Sequence, residues 1–244
     1  MRNLRQGLTL ATLAPLAAVL TGCPNPNIYG TPRTIPKGEM QHTIALEGIG
    51  AFGSNVPTTT GTGTTTTTST SIYSPTLPTY QFRYGATDRF DFGIRAGNLT
   101  MLGIDGKYNF VRGRVDLAID PGIQGTYISS STGTGTTSTS ASAAVFYGNL
   151  PLLIGINFSS RIALMLSPGI GFQAATGTTS AQYSAGSSAF LARMGAGFNF
   201  KIANSFALQP EVTALYYADG SNRLALSTGL GFVIGAQPDT SDLK

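Results

Sequence analysis

Charge is what this chain has least of. Asp, Glu, Lys and Arg make up 11% of its 244 residues, against about 25% in an ordinary globular domain. Its one cysteine, Cys23, rules out an intrachain disulfide and a thiolate metal cluster. Its one histidine, His42, leaves little for histidine-based nucleophilic or acid–base chemistry. Tryptophan is missing altogether. Outside the N-terminus no apolar run approaches the ~20 residues of a membrane-spanning helix. The formal net charge of +4 is small and scattered, which argues against nucleic acid as a partner. What remains is rich in Gly, Thr, Ser and aromatics, a composition that suits a protein whose outside meets lipid.

The first residues have their own logic. Arg2 and Arg5 form a positive start, Leu8 to Leu20 an apolar stretch interrupted by Pro15, and Leu20-Thr21-Gly22-Cys23 follows. The stretch has the length of a secretory signal and is too short for a span. The tetrapeptide resembles the bacterial lipobox. The resemblance implies that residues 1–22 are a lipoprotein signal peptide, that cleavage falls before Cys23, and that Cys23 carries acyl chains. Residues 23–40 then read as the lipidated cysteine and an extended linker rich in proline (Pro24, Pro26, Pro32, Pro36).

From residue 41 to 236 the pattern is period two. Phe90, Phe92 and Ile94 alternate with Asp91, Gly93 and Arg95; Leu102, Ile104, Tyr108 and Phe110 alternate with Gly103, Asp105, Lys107 and Asn109. Such alternation means strands with one apolar face. Ten are expected, at about 42–53, 78–86, 89–97, 100–111, 114–128, 143–157, 161–174, 187–202, 205–217 and 223–235. Tight turns at 86–89, 111–114, 158–160 and 203–204 face long Thr/Ser/Gly-rich loops at 54–77, 129–142 and 175–186. This architecture resembles small outer-membrane barrels, with an even strand number and short turns opposite longer loops. The expected fold is therefore all-β, an antiparallel up-and-down transmembrane barrel, followed by a polar tail at 237–244.

The rival is a soluble barrel with its apolar face inward, tethered in the periplasm around an apolar ligand. Three features favour the apolar face outward. The polar face is crowded with glycine (Gly93, Gly97, Gly195, Gly197, Gly229, Gly231), which weakens a strand but suits a tight lumen. The charges on that face nearly balance, as an interior requires: Arg83, Arg95, Lys107, Arg161 and Arg193 against Glu47, Asp91, Asp105, Asp116, Asp120 and Glu211. Aromatics gather near strand ends like interfacial girdles (Phe90, Tyr108, Phe110, Phe198 on one side, Phe146, Phe172, Tyr216 on the other). Pro121, Pro168 and Pro210 lie within expected strands, where they mark bulges or ends.

No enzyme is expected. Barrel hydrolases resemble one another in placing histidine with Ser or Asp at the outer rim, whereas His42 stands at a strand entry on the other side. Asp116 and Asp120 are four apart on one strand, about 13 Å by the rise per residue, too far to share a metal. The reading is an outer-membrane lipoprotein, anchored on the periplasmic side, with a closed barrel of structural or surface-exposed role. A narrow pore for small solutes is the alternative. The only cofactor-like group expected is the lipid on Cys23. Membrane lipid is the expected partner, and the sequence names no protein partner.

Overall fold

The computed structural model describes residues 25–52, 55–59, 65–69, 72–97, 100–133, 138–177, 187–218 and 224–243. Residues 1–24, including Cys23, lie outside the described residues. No helix long and apolar enough to cross a membrane occurs among those described.

Fourteen strands follow in chain order: β1 Met40–Phe52, β2 Asn55–Thr59, β3 Thr65–Ser69, β4 Ile72–Pro75, β5 Thr79–Gly85, β6 Phe90–Gly97, β7 Met101–Val111, β8 Val115–Ile119, β9 Gly122–Gly133, β10 Ser138–Asn157, β11 Ile162–Gly177, β12 Ser187–Ala203, β13 Phe206–Tyr217 and β14 Leu224–Gly235. Among the described residues twelve of them build ten staves, because β4 and β5 both pair with β1, and β8 and β9 both pair with β7 and β10, while β2 and β3 pair with each other outside that sheet. All neighbours are antiparallel. The sheet closes where β1 meets β14, from Gln41↔Gly235 to Phe52↔Leu224. The ten staves fall where the alternation puts them.

A proline explains the break between β8 and β9. Pro121 has no N–H to give, so the ladder lapses at Asp120-Pro121 and divides β8 from β9. The register nevertheless carries through, from Leu152↔Ile119 to Asn149↔Gly122. Pro168 and Pro210 sit inside continuous strands, opposite Met194 and Leu230. Bulges near Val111 and Ala203 lie beside tight turns.

The apolar face points outward. Ile44, Leu46, Ile94, Leu102, Ile104, Ile123, Leu150, Ile170 and Val212 are exposed. Toward the turn end Phe90, Tyr108, Phe110 and Phe198 are exposed, and toward the loop end Phe146, Phe172, Phe190 and Tyr216. Cross-strand ring pairs such as Tyr84–Phe92 (5.5 Å) and Phe172–Phe190 (5.3 Å) tie these bands together. A soluble barrel around an apolar ligand would show the opposite parity.

Two expectations change. The Thr-rich stretch at 54–77 is not wholly loop: β2 and β3 form a two-stranded ribbon and β4 extends the second stave. Threonine favours the pleated backbone, and composition alone hides that. Likewise β9 and β10 stay paired as far as Gly133↔Ser138, so most of 129–142 is strand. The second change concerns the proline-rich segment. It does not lead away from the barrel. Residues 25–29 and 32–35 are buried, and the segment runs inside the lumen.

Candidate functional site: the occupied lumen

The lumen is lined by inward residues of every stave, and its density follows from how the sequence places charge and glycine. Near the turns Arg83 takes three carboxylates: Asp91 at 2.7 Å, Asp105 at 2.7 Å and Asp120 at 3.2 Å. Lys107 adds a second cation 3.2 Å from Asp91. Arg83, Lys107, Asp91 and Asp120 are all buried. A charge buried here is tolerable only because it has partners within contact distance.

The other expected lumen charges act on the N-terminal segment. Glu211 accepts hydrogen bonds from the backbone N–H of Ile28 (3.0 Å) and of Tyr29 (2.8 Å). Glu47 accepts from Asn25 Nδ2 at 2.6 Å, Asn27 Nδ2 at 3.3 Å and Thr79 Oγ1 at 3.0 Å. Arg95 donates to the carbonyls of Asn27 (2.5 Å) and Ile28 (3.3 Å). Arg193 donates to Pro26 O at 3.0 Å and Ser167 Oγ at 3.2 Å. Lys107 Nζ also donates to Thr31 O at 2.9 Å, and Asp91 accepts from Ile35 N at 3.0 Å. Cations read carbonyls and carboxylates read N–H groups, as recognition of an extended backbone demands.

Asp116 binds a residue that sequence reasoning missed. Arg33 Nε donates to Asp116 Oδ2 at 2.7 Å, and Arg33 also reaches Gly113 O and Asp242. Asn157 Nδ2 and Gly113 N complete the Asp116 shell. Arg161, by contrast, does not join the network: it is an exposed residue of the turn between β10 and β11. The exchange keeps five cations against six carboxylates, with Arg33 in place of Arg161. Arg161 has the parity of the lumen but lies past the end of the paired strand, so period two no longer fixes its direction.

Glycines make the bed on which the segment lies. A Cβ at Gly231 would stand 2.8 Å from the Tyr29 ring, and one at Gly155 would be 3.0 Å from Pro32 Cδ. At Gly229 it would fall on Tyr29 Oη, and at Gly85 on the Ile35 and Pro36 carbonyls. Tyr29 is left-handed at φ 47, a bend that seats its ring. Ile28 packs with Ala118 and Leu153 in a small apolar cluster inside the barrel. Small cavities of about 10 Å³ each lie beside Ile28, one reaching Arg95 and Gln124 and the other Leu153 and Glu211, and one of about 20 Å³ lies at the turn end between Arg33 and the exposed turn at residues 159–161, each with room for one water at most. Larger hollows of about 520 and 650 Å³ lie on the apolar outer face, beside Ile123 and Phe172 and beside Leu46 and Val212.

His42 is on the outer face, 2.7 Å from Tyr80 Oη and packed against Phe82. Asp116 and Asp120 turn to different arginines, as their spacing implies. Among the described residues no group of three or more His, Cys, Asp or Glu could hold a metal ion.

No family model matches the chain, and no curated protein does. Solved structures do. An outer-membrane channel from Pseudomonas putida F1 is 10% identical at a TM-score of 0.46, over 86% of this chain and 99% of that one. The attachment invasion locus protein of Yersinia pestis, in complex with the heparin analogue sucrose octasulfate, is 10% identical at 0.43, over 82% and 99%. The outer membrane protease OmpT of Escherichia coli is 6% identical at 0.40, over 83% and 97%. These are likenesses of fold alone; the strand pairing itself gives an antiparallel, closed, ten-stave barrel.

Proposed function

We propose that the protein is an outer-membrane lipoprotein, acylated at Cys23, whose barrel is a closed anchor with a structural or surface-exposed role. The observation that carries this reading is the occupied lumen. A chain of the protein's own residues, bonded from Asn25 to Ile35, fills the space a solute would need. An apolar outer face suits burial in lipid, and a polar, charge-paired interior suits neither an apolar ligand nor open water. Planar-bilayer recording on the purified mature protein tests the reading. No steady conductance is expected, and reproducible single-channel steps from the unmodified protein would promote the pore alternative. Mass spectrometry of the mature chain checks the lipid: its N-terminus should be Cys23, with acyl mass attached.

A further inference from the structure

We infer that the N-terminus climbs through its own barrel from the turn face toward the loop face, so that a lipid on Cys23 is presented on the loop side and not in the leaflet beside the turns. The inference rests on the lipoprotein reading above for the lipid, and on the course of residues 25–36 for the direction.

Each contact along the segment marks a height. At the turn end, Gly38 N donates to Gly85 O and Ile35 N to Asp91, one residue into β6. Arg33 reaches Gly113 O, in the tight turn before β8, and Asp242 of the C-terminal tail. Tyr29 lies against Gly231 and Gly229 of β14, four and six residues above that strand's turn end. Asn27 Nδ2 is bonded to Ser227 Oγ at 3.0 Å, two residues higher again. Asn25 O accepts from Gln124 Nε2 at 2.7 Å, and Gln124 lies beyond Pro121, well up the fifth stave. Contacts toward the N-terminus therefore lie nearer the loops overall, although Asn25 also bonds Glu47, which pairs with Gly229.

Cys23 stands two residues before Asn25, within about 7 Å of it along the chain. The turn face lies ten residues back. While the segment occupies the lumen, a cysteine on that short tether does not reach the turn-side leaflet. A second observation concerns what lies ahead. Near the loop ends the inward side chains lose their charge: Met101, Val145, Leu191, Leu215 and Ala225 replace the arginines and carboxylates found lower down. This upper lumen is uncharged, with Thr126 and Gln173 beside those apolar side chains, and it resists an acylated end less than the charged lower half does. In barrels of this architecture short turns face the periplasm and longer loops the exterior. The lipid then belongs to the outer face of the cell.

An epitope inserted between Cys23 and Pro24 in the full chain tests this, read by antibody on intact and permeabilised cells. Controls carry the epitope between residues 181 and 182 or between Ser159 and Ser160. In the same chain, Ile28→Cys and Leu153→Cys report threading by disulfide or short bis-maleimide capture, seen as a mobility shift. The expected result is capture together with staining of intact cells at the level of the 181–182 control. Capture with staining only after permeabilisation overturns the inference and leaves the closed-barrel reading standing. Failure of capture removes the segment from the lumen and overturns both.

Discussion

Glu211 shows how a single side chain can hold a strand of backbone. Its carboxylate receives the consecutive N–H groups of Ile28 and Tyr29, and such charge-assisted bonds are about twice as strong as neutral ones. Glu211→Gln keeps the volume and loses the charge. It should destabilise the barrel by about 1–3 kcal/mol in a folding titration, and should cost nothing or even stabilise once residues 25–35 are deleted, because the carboxylate is then buried without the N–H groups it held. An equal cost in both backgrounds would place the role of Glu211 in the strand itself. The side of the sheet on which each such residue lies was legible from parity, since alternation holds while a strand is paired. What each touches was not. Arg95 and Arg193 read naturally as partners for acids, yet they bond carbonyls of the N-terminal segment. A backbone carbonyl has no letter in a sequence, so no count of charges could reveal it.

At the level of elements, the ten staves were legible because lipid outside and polar crowding inside impose period two over the whole length of each. The threaded segment was not, because a short proline-rich stretch has no period and proline is equally at home in a linker. Two signals were available. Gly85, Gly155, Gly229 and Gly231 leave room for more than opposing side chains, and Ile28, Tyr29 and Ile35 are unusual in a hydrated tether. The segment changes what strand substitutions do. Parity makes Leu226→Arg costly, about 2–4 kcal/mol near the bilayer midplane, and makes Ser227→Arg mild. With Asn27 bonded to Ser227, Ser227→Arg has nowhere to go and should be severe as well. Deleting residues 25–35 should relieve Ser227→Arg and leave Leu226→Arg unrelieved, a non-additivity that a double-mutant cycle measures. Equal relief of both would mean the register is wrong.

The C-terminal tail bears on the same segment from the turn face. Asp242 lies 2.5 Å from Arg33, and Arg33 also donates to Asp239 O at 2.6 Å. The hydrogen bond from Arg33 holds the Asp242 carboxyl below its ordinary value. A carboxylate so depressed contributes above its unfolded value, about 3.9, and the contribution is lost as pH falls through the lower folded value. The tail should therefore stay docked through neutral and mildly acidic pH and release only in stronger acid. Protease access to residues 237–243, compared at pH 7 and pH 3, checks this. Asp242→Asn should raise access already at pH 7 and flatten the difference.

For the whole molecule the question is whether the wall or the threaded segment closes the barrel. Eight staves leave an interior that side chains fill, and sixteen leave an aqueous channel, so ten is close to the filled limit. This wall is poorer in bulk than the number suggests, because Gly85, Gly155, Gly229 and Gly231 face the segment with no side chain. Removing residues 25–35 would empty the space along those glycines and take away Arg33. Six carboxylates would then face four cations: Arg83, Arg95, Lys107 and Arg193. Glu47 and Glu211 would lose their partners from the segment, and buried carboxylates left so must be hydrated or neutralised. Water entering to hydrate them would open the lumen to small ions and give it a negative sign. The deletion variant should therefore show small, cation-selective steps in planar bilayers where the full chain is silent, with a reversal potential shifted toward that of the permeant cation in a salt gradient. A variant that folds and stays silent would mean that wall side chains collapse across the gap and that ten staves close this barrel without help.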